Sequence, residues 1–268
     1  MAVVTLNRPE RLNALSIELA LQLDRTLAAV AEENDTWVVV LTGAGRGFCS
    51  GLDLKDYGML PGIDGLSVGR IAQRSMRAYS QLVLRLRHLP QPVIAAVNGP
   101  AYGGGMCLTL AADLRIAAAS AEFNATGIVN GLTSTEMAAG WLLPRQIGAA
   151  RANDLLLTGR KVGAAEAQEL GLVSRVVDDG KVLDEALDMA EAMSRFSPYG
   201  LAMTKDALWA NLEVASLESA IALEDRNQLM LGFTENLQEA IRAFDAGRDP
   251  VYTDDPRRDL FDRPTDPS

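Results

Sequence analysis

Three observations predict an α/β fold with a helical C-terminal region for this 268-residue chain. Trp37 to Leu41 and Val93 to Val97 are continuous apolar runs of the kind found in strands buried on both faces. Segments of helical periodicity separate such runs, which favours alternating strands and helices over a hairpin meander. From Leu183 onward, helical patterns follow one another with no convincing strand.

Ala2 to Leu6 reads as the first strand, stopped by Asn7-Arg8-Pro9. Asn13 to Ser16 opens a helix with Leu15, Leu19, Leu23, Leu27 and Val30 on one face, ended by Asn34-Asp35. The strand Trp37 to Leu41 leads into Thr42 to Leu54, a glycine-bearing loop. A dinucleotide fingerprint needs glycine where Phe48 stands, and no G-K-[ST] follows, so the nucleotide motifs fail. The loop either presents a backbone amide near Ser50-Gly51 or is an ordinary strand-to-helix connection. Asp56 to Gly69 is glycine-rich and aperiodic, a candidate surface loop over a site. Ser67 to Leu89 fits a helix with Ile71, Met76, Tyr79, Leu82, Val83 and Leu86 inward and five arginines largely outward, closed by Pro90 and Pro92. His88 falls in its last turn, where an imidazolium complements the helix dipole, a role favoured here over catalysis.

The stretch Ala101 to Asp113 organises the rest. Gly103, Gly104 and Gly105 lie between the strand Val93 to Val97 and a segment of helical composition reaching Leu114. Bare amides at a helix N-terminus can hold a carbonyl oxygen that gains negative charge, though close packing alone also explains three glycines. Asp113 to Ala117 and Glu122 to Thr126 are short extended pieces. Thr133 and Glu136 have capping-box spacing ahead of the apolar run Met137 to Leu143. Leu155 to Thr158, Ala164 to Leu170 and Val173 to Val177 suggest a helix pair and a strand, with Gly171 as a stop. Helices follow at Leu183 to Met193, Leu201 to Leu212, Leu217 to Leu231 and Asn236 to Ala246. A boundary near Ser197-Pro198 gives a core at 1–197, a helical region at 198–252 and a charged, proline-bearing tail at 253–268 expected to be poorly ordered.

A net charge of −10 and a pI near 4.7 argue against nucleic acid, whose phosphates call for a basic footprint. Apolar runs fall far short of the roughly 20 residues that span a bilayer, and Met1 to Pro9 lacks the marks of a signal peptide, so a cytoplasmic protein is expected. Cys49, Cys107 and His88 form no metal-ligand set, and two thiols are poor grounds for a disulfide.

Six motifs occur in register: Leu6 to Leu15, Gly47 to Leu54, Asn98 to Gly105, Leu157 to Gly159, Ala164 to Val173 and Phe244 to Pro250. With them the chain resembles the crotonase superfamily, enoyl-CoA hydratases and isomerases, from Val3 to Tyr252. The resemblance implies a spiral of β-β-α units and a helical region that assembles trimers, often paired into hexamers. It implies an acyl-CoA substrate and no cofactor apart from the coenzyme A that the substrate carries. The thioester oxygen would accept hydrogen bonds from the amides of Ser50 and Gly104. Gly51, Leu52, Asp53 and Leu54, with Gly105, match the backbone that lines coenzyme A. Arg11 lies in the matching N-terminal motif, and Lys205 or Arg248 are weaker candidates for its phosphates. Family members usually carry one more strand before the one at Ala2.

The departures point to the reaction. Hydratases of the family use two glutamates; Cys107 stands at the first position and Gly127, beside Ala125 and Thr126, at the second. A thiol is a poor general base, and Cys107 reads as a small core residue. Glu136 aligns with the acid that moves a proton in isomerase-type relatives, although the capping box accounts for it without chemistry. Isomerisation is therefore expected. The two alternatives are an enoyl-CoA hydratase of fatty-acid oxidation, which would be a lyase, and a non-catalytic acyl-CoA-binding subunit.

Overall fold

Strand β1 (Ala2–Leu6) pairs in parallel with β2 (Val39–Gly43), and the chain between them must therefore cross over, which helix α1 (Ile17–Ala31) does. Ser16 caps α1: its hydroxyl accepts the Leu19 N–H at 3.2 Å, while Ile17, Leu19, Leu23 and Leu27 bury one face. The computed structural model that shows this describes residues 1–56 and 58–253. The pattern repeats. Helix α2 (Val68–His88) carries the chain to β3 (Val93–Val97), parallel to β2. β5 (Leu114–Ala118) joins the other edge of β3, and β8 (Arg175–Val177) pairs with β5. The result is a five-stranded parallel sheet of order β1-β2-β3-β5-β8. Every residue of β2 and β3 is buried, as their unbroken apolar runs require.

Each turn also sends a short extended segment to a second layer. There, β4 (Ala101–Tyr102), β6 (Glu122–Asn124) and β7 (Val162–Gly163) form a three-stranded sheet, prolonged by single bridges between Cys49 and Ala101 and between Leu15 and Leu52. The repeat is thus long strand, short strand, helix. In the third turn the helix is α3 (Gly104–Ala111), buried on all sides. α4 (Ala139–Ile147), α5 (Ala149–Thr158), α6 (Ala164–Glu169) and α7 (Val182–Met193) complete this unit.

The division between the chain's two units falls after Met193. The second unit contains α8 (Pro198–Ala210), α9 (Leu217–Gly232) and α10 (Glu235–Asp245), with no strand among its described residues. Residues 254–268, the bulk of the expected disordered tail, lie outside the described part.

Several boundaries differ from the sequence reading. β2 starts two residues later than Trp37 because its register is set by β1, Ala2 lying opposite Val39. Of the two overlapping readings at Ser67 to Gly69, the helix from Ser67 holds, α2 running from Val68 with Ser67 as its N-cap, and the glycine-rich loop ends there instead of at Gly69. Met76 is exposed instead of inward, since the buried stripe of α2 begins at Tyr79. The capping box fails: α4 begins at Ala139, not after Thr133, and Glu136 has no cap to make.

Candidate active site

Two glycine loops meet at the N-terminus of α3. The first turn of that helix lies so close to the loop after β2 that a Cβ on Gly105 would fall 2.1 Å from the Cys49 carbonyl oxygen. A Cβ on Gly51 would lie 3.4 Å from the Gly104 nitrogen. Gly103, at φ +48°, turns the chain from β4 into the helix in a conformation costly for any residue with a side chain. Phe48 and Cys49 both donate to the Pro100 carbonyl at 3.1 Å, which stitches the loops together. Asn98 adds a second stitch, its amide donating to the carbonyls of Gly43 and Gly45 at 2.9 and 3.0 Å.

Ser50 and Gly104, the expected oxyanion donors, are therefore neighbours. Among the described residues the Gly104 N–H bonds no protein acceptor, as at any helix N-terminus. The Ser50 N–H donates to the Leu12 carbonyl at 3.0 Å, so a substrate oxygen there must share that proton with Leu12 or displace it.

Beside these amides stands Glu136. A Cβ on Gly103 would lie 3.2 Å from the Glu136 Oε1 and 2.6 Å from the Thr126 Oγ1. The carboxylate makes no hydrogen bond or ion pair among the described residues, and burial alone raises its pKa above the ordinary 4.5. Met137 and Ala138, which follow it, have φ of 43° and 65°. Their left-handed turn starts α4 and seats the Met137 sulfur 3.1 Å from where a Gly104 Cβ would be. A second left-handed pair, Leu12 and Asn13 (φ 49° and 56°), supports the other loop. The fully buried Asn13 amide donates to Ala44 and Gly47 carbonyls at 2.9 and 2.8 Å. These four are the described non-glycine residues at positive φ, and both pairs flank the site.

The positions at which the resemblance expects the hydratase glutamates hold Cys107 and Gly127. Cys107, 2% exposed on α3, directs its thiol at the Glu136 carbonyl oxygen at 3.5 Å. Burial, and next the Glu136 charge, push its pKa well up, so it stays protonated. At Gly127 a Cβ would fall 1.9 Å from the Thr133 carbonyl oxygen; the chain path there leaves no room for a glutamate.

The expected coenzyme A contacts are partly engaged within the protein. Asp53 is buried and accepts from Arg11 at 2.5 and 3.3 Å, from the Lys55 and Asp56 amides at 3.1 Å, and pairs with Arg8 at 3.1 Å. Burial opposes its ionisation, but Arg11 and the two amides outweigh that and hold its pKa at about 2. Arg11 and Asp53 thus fix the Gly51 to Leu54 turn by pairing with each other, and Leu54 is exposed at its end. In the second unit Arg248 is bidentate to Glu239, at 2.6 and 3.0 Å, and Lys205 is buried. His88 is exposed at the end of α2. Among the described residues no three His, Cys, Asp or Glu side chains are placed to hold a metal, and no helix is long and apolar enough to cross a membrane.

The sequence reading missed the two left-handed pairs. Asn13 carried a usable signal, since asparagine is enriched at positive φ; Leu12, Met137 and Ala138 carried none. It also missed Tyr102, whose hydroxyl hydrogen-bonds Glu122, with Lys161 2.7 Å from the same carboxylate.

The parallel-sheet spiral thus brings two glycine loops together beside one half-buried carboxylate, Glu136. The family model for enoyl-CoA hydratase/isomerase matches residues 1–255. A probable enoyl-CoA hydratase of Mycobacterium tuberculosis is 49% identical over 256 residues, 95% of this chain and 90% of its own. The 1,2-epoxyphenylacetyl-CoA isomerase of Escherichia coli is 39% identical over 250 residues, 93% of this chain and 94% of its own. Among solved structures, a probable enoyl-CoA hydratase/isomerase from Mycobacterium abscessus superposes with a TM-score of 0.88 at 45% identity, covering 92% of this chain and 93% of its own. A monofunctional enoyl-CoA isomerase from M. smegmatis gives 0.70 at 45% identity, covering 82% and 92%. The chain belongs to the enoyl-CoA hydratase/isomerase family, the crotonase superfamily, and is an acyl-CoA enzyme of it.

Proposed function

We propose that the protein moves a double bond along the acyl chain of an enoyl-CoA, with Glu136 as the one acid–base group. The carboxylate removes a proton from a carbon next to the conjugated system. The electron pair passes into the thioester, and the resulting enolate oxygen is held by the Gly104 and Ser50 amides. Glu136, now the carboxylic acid, returns the proton two carbons away. No atom is added, so one carboxylate suffices. The amides act mainly on the charge that develops, and losing one such donor typically costs about 3 kcal/mol in the barrier.

The observation that carries this reading is the Glu136 carboxylate beside Gly103, unpaired and with a raised pKa. Burial raises its pKa and so strengthens it as a base. Against hydration stand the buried thiol at Cys107 and the absence of space at Gly127. We read Gly51 to Leu54 and Gly105 as lining the coenzyme A moiety, with no other cofactor, in a cytoplasmic homotrimer or hexamer built through residues 198–252. Incubation with 3-enoyl-CoA and with 2-enoyl-CoA tests the reaction: isomerisation is expected, falling by about 10²- to 10⁴-fold in Glu136→Gln, with no 3-hydroxyacyl-CoA. Efficient hydration, or isomerisation undiminished in Glu136→Gln, would overturn it.

A further inference from the structure

Glu136 is not the only polar group aimed at the bend of Gly103. The Thr126 hydroxyl, on the chain just after β6, lies 2.6 Å from where a Gly103 Cβ would be, against 3.2 Å for the Glu136 Oε1. The two oxygens are therefore at most 5.8 Å apart, the sum of those distances. They make no direct hydrogen bond, and neither has another side-chain or backbone partner among the described residues. Within that bound, one water with hydrogen bonds of about 2.8 Å bridges the two oxygens at any separation up to about 5.6 Å. The segment that carries Thr126 is fixed independently. Ser134 accepts the Ile128 N–H and donates to the Ala125 carbonyl, both at 3.0 Å, and the Gly127 backbone lies against Thr133. Thr126 is thus presented to Glu136 by the same loop that brings Glu136 to the oxyanion amides.

We infer that Thr126 is the positioning residue for Glu136: its hydroxyl, through one water held between them, orients the carboxylate over the Gly103–Gly104 turn and favours its ionised form. The inference rests on Glu136 being the acid–base group. A hydroxyl suits the place because it can donate to or accept from the bridging water while carrying no charge of its own. The other titratable group set against Glu136 is the Cys107 thiol of α3, and burial keeps it neutral; no Lys, Arg or His side chain pairs with the carboxylate among the described residues. The support that a paired cation would give in another site falls here to a hydroxyl.

The test follows Glu136 directly. Protein labelled with ¹³C at the glutamate carboxyls is titrated by NMR, the Glu136 resonance being the one lost in Glu136→Gln. Thr126→Val, which keeps the shape of the side chain, is expected to move the Glu136 titration to higher pH, and Thr126→Ser to restore it. In parallel, kcat for isomerisation on the acid side of the profile is expected to fall by about tenfold in Thr126→Val with KM unchanged, the size of one hydrogen bond to a charged group. A Glu136 titration that is the same in wild type and Thr126→Val overturns the inference, as does a Thr126→Ser protein that behaves like the valine variant. Absence of isomerisation in every variant would overturn the proposed reaction, while the titration would still decide the role of Thr126.

Discussion

Glu136 and Asp53 are two carboxylates of one site whose environments drive them in opposite directions. Asp53 is held at about 2, below its ordinary 3.8, by Arg11 and two amides. Its contribution to stability is complete above the ordinary value and is lost as pH falls through the folded one. Asp53→Asn is expected to cost about 2 kcal/mol at pH 7, read from chemical denaturation, with the gap to wild type closing between about pH 4 and pH 2. Glu136 is raised above 4.5 by burial. The folded state then binds the proton more tightly than the unfolded chain, and stability falls as pH rises through the folded pKa. Glu136→Gln is therefore expected to be more stable than wild type at pH 7 and no more stable at pH 4, even as it loses turnover. A Gln variant that destabilises at both pH values would show that the carboxylate is a structural group.

Among the elements, the two left-handed pairs do what the helices and strands cannot. Leu12-Asn13 shapes the loop that ends in Ser50, and Met137-Ala138 points Glu136 at Gly103 before α4 starts. Ala138 is exposed, so its side chain repays nothing for the φ of 65°. Ala138→Gly is expected to stabilise the fold by up to about 1 kcal/mol, seen as a higher Tm, and to lower kcat by loosening Glu136. The elements themselves were largely legible in the sequence. β3 was bounded correctly as Val93 to Val97, and the unbroken apolar character of β2 announced a strand buried on both faces, because both facts depend on local pattern. The start of α4 was not legible. Thr133 and Glu136 have capping-box spacing, but a left-handed turn moves the helix start to Ala139 and sets Met137 against Gly104, residues 33 positions apart that local pattern cannot relate. Meeting of the two glycine loops follows likewise from the crossover topology, and the sequence supplied only the glycines.

At the scale of the whole molecule, the second unit carries large apolar side chains exposed to solvent. Leu237, Ile241 and Phe244 line one face of α10 at helical spacing, 46, 48 and 85% exposed. Phe233, at 84%, ends α9. This surface agrees with the proposed assembly through residues 198–252. Replacing Ile241 and Phe244 by aspartate is expected to yield smaller species by analytical ultracentrifugation while the helices persist; an unchanged mass would place the assembly surface elsewhere. The catalytic claim is tested most directly in heavy water. Wild-type protein incubated with an enoyl-CoA in D₂O is expected to exchange hydrogen at the carbons flanking the double bond, followed by ¹H NMR, with no 3-hydroxyacyl-CoA formed and no exchange in Glu136→Gln. Exchange that persists in Glu136→Gln, or accumulation of the hydrated product, would contradict the account.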